Sequence, residues 1–167
     1  MNRRNALASG TRQRGFTLVE LIVVMVLLGI MAIVALPRLA GSDAFNEAGF
    51  HTEVVAALRY AQKTAVSHRR LVCAQLTSTT VTLQIAASNP ANACGATLLP
   101  APNGAAAFAS TTRTSLALTA GTLPATLFFQ PDGRITTNVA GSNLWSAGIT
   151  VPNQQVITIA GATGYVK

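Results

Sequence analysis

At 167 residues the chain has room for about one domain with appendages. Half of it is apolar, while only 10% is charged and 5% aromatic, and Ala, Thr, Ser, Gly and Val fill the balance, a mix common in small secreted β-rich domains. The formal charge of +7 looks like a nucleic-acid signature until it is located: Arg3, Arg4, Arg12 and Arg14 all precede the first apolar run, and without residues 1–15 eight basic and five acidic residues leave only +3.

The first predicted element is that apolar run, FTLVELIVVMVLLGIMAIVAL, from Phe16 to Leu36, whose only polar side chains are Thr17 and Glu20. As a helix, these 21 residues span about 31 Å, close to the hydrocarbon thickness of a bilayer. A fully buried core helix is the alternative, but the rest of the chain is too small to wrap such a helix on every side. An ordinary secretory signal has a shorter apolar region, about 7–15 residues, cut after it at small residues such as Ala32 or Ala35. It also has no use for a carboxylate near its start. A charge at the bilayer centre costs about 2.5–3.5 kcal/mol on insertion scales, less near the interface. Glu20, about one turn into the helix, therefore implies a partner. The arginines before the run place its N-terminal side in the cytoplasm.

Arg14-Gly15-Phe16-Thr17-Leu18-Val19-Glu20 resembles the class III leader and processing site of type IV prepilins and type II secretion pseudopilins. The resemblance implies cleavage by a prepilin peptidase after Gly15 and N-methylation of the new terminus at Phe16. It also implies that Glu20, the fifth mature residue, pairs with the N-terminal amine of a neighbouring subunit during assembly. In a low-dielectric membrane an unpaired carboxylate and an unpaired ammonium are both costly, so pairing them fixes the axial stagger between subunits. Pro37, at the twenty-second mature position, also matches, and removes a backbone donor so as to kink or end the helix.

After Gly41-Ser42-Asp43, a local break or cap, helical spacing returns from Phe45 to about His68. His51, Val54, Leu58, Ala61 and Ala65 share one face, with Glu47, Arg59, Gln62 and Lys63 mostly elsewhere. The periodicity allows two separate helices, whereas the resemblance implies one long helix whose second half packs on a head. His51 and His68 read as solvated or capping residues, since no metal-ligand set surrounds them. Arg69 and Arg70 suit the negative end of the helix dipole.

Beyond Arg70 the pattern is β. Leu71–Thr77 and Thr79–Ala86 form a predicted hairpin turning near Ser78. A Ser/Asn/Pro/Ala/Gly loop is expected from Ala87 to about Ala107, and residues 87–125 as a whole read as surface loop. Further predicted strands are Ser115–Leu118, Thr126–Gln130, Arg134–Val139, Gly148–Val151 and Val156–Ala160, with a Pro131-Asp132-Gly133 turn between two of them. Cys73 and Cys94, an even pair in the part beyond the membrane helix, suit a disulfide in an oxidising compartment, two buried thiols being the alternative.

Ala57-Leu58-Arg59-Tyr60-Ala61-Gln62-Lys63-Thr64-Ala65-Val66 ahead of a strand, Phe129-Gln130-Pro131-Asp132-Gly133-Arg134, and Gly164-Tyr165-Val166-Lys167 resemble segments of H-type pseudopilins and FimT-like minor pilins. Minor pilins of mannose-sensitive haemagglutinin-type pili share some of these features. Major pilins instead close a disulfide loop near the C-terminus. FimT-like DNA receptors would place basic residues near the C-terminus, where this chain offers only Lys167, with Tyr165 for stacking and Arg134 and Arg113 upstream. The chain has no G-x-S-x-G, no metal set, no Gly-rich phosphate loop and too few acids for a carboxylate pair, so neither an enzyme nor a cofactor is expected.

The expected fold is α+β, a long N-terminal helix packed on a small antiparallel β head. Residues 1–15 are a cleaved basic leader, 16–37 a transmembrane and filament-core helix, 38–70 an amphipathic helix continuing into the head, and 71–167 the head. The expected protein is a structural minor pilin or pseudopilin, at or near the tip of a type IV pilus or a type II secretion pseudopilus; a DNA-binding minor pilin for transformation is the alternative. Its expected partners are other pilin subunits, the prepilin peptidase and the inner-membrane assembly platform. It sits in a bacterial inner membrane as a single-pass protein with its head in the periplasm, before joining the filament.

Overall fold

The computed structural model describes residues 15–40 and 43–167, with the side chains of 34–40 left aside. The expected leader, residues 1–14 of it, and the expected break or cap at Gly41-Ser42 lie outside the described residues. The chain divides there into an N-terminal unit and a head.

The N-terminal unit is helix α1, Leu18–Ala40, which runs through Pro37 for three further residues. The proline's missing donor costs it one backbone bond in the last turns. The head begins with helix α2, Asp43–His68, followed by ten short strands. Its architecture is α+β. Strands β1 (Val72–Leu76), β2 (Thr80–Ile85), β3 (Thr97–Leu99), β4 (Ala107–Ser110), β6 (Ala125–Phe129) and β7 (Ile135–Thr136) form one antiparallel sheet in the order β3-β2-β1-β6-β7, with β4 also on β2. Two smaller antiparallel pairs complete it: β5 (Ala117–Leu118) with β8 (Ile149–Thr150), and β9 (Ile159–Ala160) with β10 (Tyr165–Val166).

The buried side of α2 is Phe50, Val54, Ala57, Leu58, Ala61, Thr64 and Ala65, a 3.6-residue stripe. It takes in Val54, Leu58, Ala61 and Ala65 of the predicted face, while His51 is half-buried at its edge. Three alanines on this stripe let the helix approach the sheet closely. Facing them is a surface of alternating strand residues: Ala74, Leu76, Val81, Leu83, Leu127, Phe129 and Ile135, all fully buried in one cluster with the helix residues.

The opposite side of the sheet is covered at one end only. Cys73 points that way and bonds to Cys94 (S–S 1.99 Å, Cα–Cα 5.8 Å), so the disulfide is present. It draws part of the 87–96 connection onto a second small cluster of Leu71, Cys73 and Ala86, with Ala91, Phe128 and Val139 against it. Strand β1 is therefore buried on both sides at Cys73, which is why its burial departs from simple alternation.

The β1–β2 hairpin lies where the pattern placed it. Its turn closes through the Thr77 N–H donating to the Thr80 carbonyl (2.9 Å), while the Thr77 hydroxyl accepts from the Thr80 N–H (2.9 Å). The Pro131-Asp132-Gly133 turn joins β6 and β7, with Gly133 at φ 93°. Residues 87–125 depart from the surface-loop expectation. They contain β3 and β4 besides β5, which falls within the predicted strand Ser115–Leu118, and they bury Ala101, Ala109 and Leu116. Both β3 and β4 pair on the outer edge of β2, Leu83 with Leu99 and Val81 with Ala109. Their pairing is long-range and their Ala/Thr/Leu runs are too short for periodicity, so local pattern does not mark them. Strand β10 is a further addition, and the later predicted strands are shorter than their apolar runs, as β7 and β8 show at two residues each.

Candidate functional site

Gly15, Phe16 and Thr17 precede α1, and Phe16 is 83% exposed. The Thr17 hydroxyl accepts a hydrogen bond from the Glu20 N–H (3.2 Å), and the Thr17 carbonyl takes the first helical bond from the Leu21 N–H (3.1 Å). Thr17 is thus the N-cap of α1 and Glu20 its third residue, the spacing of a capping box, with the carboxylate exposed at the favourable end of the helix dipole. The cap role of Thr17 was readable from Thr-x-x-Glu before an apolar run, but the prepilin motif overlies the same residues and draws attention to Glu20 alone.

Every side chain from Leu18 to Ile33 is exposed, on all sides of the helix. A helix apolar all round is stable only where lipid or other protein covers it. Among the described residues no helix is long and apolar enough to cross a membrane; the described side chains of α1 stop at Ile33, while the apolar sequence continues to Leu36.

In the head, the residues singled out for nucleic acid are largely engaged. The Arg134 guanidinium donates to Asp132 (Nε–Oδ2 2.6 Å) and to the Gly141 carbonyl (3.3 Å). Burial tends to raise the Asp132 carboxyl, but the Arg134 backbone N–H and then its guanidinium outweigh this and hold it below its usual value. Arg113, between β4 and β5, is engaged within the chain. Tyr165 is 59% exposed on β10, and Lys167 follows two residues on, on the same side of the extended chain.

This C-terminal segment is held by α2, through contacts that sequence reading missed. Arg59 donates twice to the Val166 carbonyl (3.2 and 3.1 Å), Gln62 to the Thr163 carbonyl (3.3 Å), and His51 Nε2 lies 3.1 Å from the Gln155 carbonyl. Partners about a hundred residues apart leave no local signal. Helix α2 itself ends in a Schellman motif: Arg69 takes φ 51°, the Arg69 N–H donates to the Val66 carbonyl, and the Arg70 N–H to the Ala65 carbonyl. Among the described residues no group of three or more His, Cys, Asp or Glu is placed to hold a metal ion.

Residues 10–36 match the family model of the prokaryotic N-terminal methylation motif, which takes in Gly15, Phe16, Thr17 and Glu20 and most of α1. No curated protein and no solved structure matches the chain. A methylation motif leading into an apolar helix, with an α+β head behind it, is the arrangement expected of a prepilin-type subunit. The match supports a type IV pilin-like protein, and the motif implies processing by a prepilin peptidase, a membrane anchor at the cell envelope and assembly with other pilins.

Proposed function

We propose that the chain is a structural minor pilin or pseudopilin of the H-type or FimT-like branch, cut between Gly15 and Phe16 and methylated on Phe16. Helix α1 then crosses the bacterial inner membrane once, leaving the head in the periplasm. The assembly platform passes the subunit to a type IV pilus or type II secretion pseudopilus, at or near the tip. The observation that carries this reading is the exposed apolar surface of α1, Leu18–Ile33, directly behind the methylation motif. Such a helix needs lipid first and other subunits afterwards. Its role is assembly, not catalysis. Binding of incoming DNA has less behind it, because Arg134 is already ion-paired with Asp132 and Tyr165 and Lys167 form too small a basic surface.

Glu20 has two jobs open to it, helix capping and pairing with the amine of a neighbouring Phe16, and a pair of variants separates them. Glu20→Gln keeps a capping group but removes the charge; Glu20→Ala removes both. Losing one partner of a buried ion pair costs about 3–5 kcal/mol, so incorporation into sheared filaments is expected to fall at least about a hundredfold in both variants, with membrane insertion intact. Normal incorporation of Glu20→Gln would leave capping as the role of this residue and remove the pairing.

A further inference from the structure

The main sheet and the β5–β8 pair meet at a concave site of about 350 Å³, a volume at the lower end for ligand pockets and suited to a single ring. Its floor is carbon: Leu118 of β5, Ala125 of β6, Trp145 and Ala147. Trp145 is 8% exposed and its indole N–H donates to the Ala147 carbonyl (2.6 Å), so it offers the pocket ring carbon and no donor. The rim is hydroxylic. Thr122, Thr137 and Ser146 are all exposed, and the hydroxyls of Thr122 and Ser146 take no partner among the described residues. No lining residue is charged, since neither 114–131 nor 135–166 contains an acidic or basic side chain. Asp132 and Arg134 stand at the other end of the β6–β7 hairpin and pair with each other. The walls are held in place by the chain itself. The Thr119 N–H donates to the Gly148 carbonyl (2.9 Å), and the Gly148 N–H returns a bond to the Thr119 hydroxyl (2.7 Å). On the facing wall the Trp145 N–H donates to the Ile135 carbonyl (2.9 Å), and the Thr137 N–H to the Asn143 carbonyl (2.8 Å). A pocket formed in advance loses little conformational freedom on binding.

We propose that this pocket binds one neutral hexopyranose ring, as a free sugar or as the end of a glycan chain. Such a ring has the pocket's own division, a face of C–H groups and a periphery of hydroxyls. Its carbon face covers the apolar floor. Its hydroxyls meet those of Thr122, Thr137 and Ser146, each of which can both donate and accept. An aliphatic side chain would fill the floor but leave the rim hydroxyls against carbon, stripped of water and unpaired. A phosphate, carboxylate or ammonium group finds no opposite charge here to offset its desolvation. Sugar binding is a role beyond assembly, and it requires neither leader cleavage nor a filament.

Trp145 is the only tryptophan of the chain, so its emission reports on the pocket floor directly. The full chain, in a polyoxyethylene detergent that carries no sugar headgroup, is titrated with the methyl glycosides of glucose, galactose, mannose and N-acetylglucosamine. The expected result is a saturable change in emission with at least one of them, with a dissociation constant of about 1 mM, as suits so small a ligand. Saturation-transfer NMR on the same glycosides gives a second measurement that does not need the indole to respond. Thr122→Val and Ser146→Ala each remove one rim hydroxyl at an exposed position, where the fold tolerates the change. Each should weaken binding about fivefold. Glucuronic acid, a similar ring with a carboxylate, should bind at least about tenfold more weakly at neutral pH, and so should cyclohexanol, which has the carbon face but one hydroxyl. A neutral tetrasaccharide of the bound sugar separates the two sources: binding at least as tight as the single ring marks a chain end as the ligand, and loss of binding marks a free sugar. Absence of saturation by all four glycosides at tenfold the expected dissociation constant, in emission and NMR alike, would overturn the proposal. So would binding unaffected by both hydroxyl variants, or equal binding of glucuronic acid. Tighter binding of cyclohexanol would overturn it in favour of an aliphatic side chain as the occupant. None of these results depends on leader cleavage, so they stand apart from failure of the processing reading.

Discussion

Phe129→Ala is expected to lower the stability of the head by about 3–5 kcal/mol. Phe129 is fully buried on β6, its backbone paired with Val72 on one side and Ile135 on the other, and it belongs to the cluster that joins the sheet to α2. Removing the ring forfeits its transfer free energy and leaves a cavity that a sheet held on both sides cannot collapse to fill. Urea unfolding of the chain in detergent micelles should show a lower midpoint with an unchanged slope. Leu98→Ala, at a half-exposed position on edge strand β3, serves as the control and should stay within about 0.5 kcal/mol of the parent. An equal loss at both positions would mean that the core lies elsewhere.

Removing the disulfide, by Cys73→Ala together with Cys94→Ala, should cost about 3 kcal/mol. The bridged residues are 21 apart in sequence, and the bond restricts the unfolded chain over that loop. In the folded head it holds part of the 87–96 connection against the outer side of β1, where Leu71 and Ala86 are buried. The double variant should therefore unfold at a lower denaturant concentration and also exchange the Leu71 and Cys73-position amides faster than those of Leu83, which lies under α2. A uniform change in exchange across both sides of the sheet would argue that the bond acts only through the unfolded state.

The parts of this molecule that sequence made legible are those whose physics is local. An apolar run with one carboxylate near its start marks α1, a 3.6-residue stripe marks the buried side of α2, and Thr-rich and Val-rich alternation marks β1 and β2. Proline and glycine punctuate the turn before β7. What escaped notice depends on pairing across long separations. Strands β3 and β4 exist because the edge of β2 accepts them, and their own residues carry no strand period. Arg59 reads as a solvent-facing helix residue, yet its guanidinium holds the Val166 carbonyl at the other end of the chain. Arg134 reads as an available cation, yet the Asp132 two residues before it takes up its charge. At the N-terminus the residues of interest were legible, but their division of labour was not. Thr17 starts the helix, and that local task overlaps the spacing from which a role between subunits is inferred for Glu20.

The account as a whole turns on whether the N-terminus is treated by the cell as a prepilin leader. Intact mass of the chain from the membrane fraction, in cells with an active prepilin peptidase, measures this most directly. The predicted result is a species beginning at Phe16, lacking residues 1–15, carrying one added methyl group, and lighter by one hydrogen for each of Cys73 and Cys94. A chain that retains its leader in those cells would contradict the central claim.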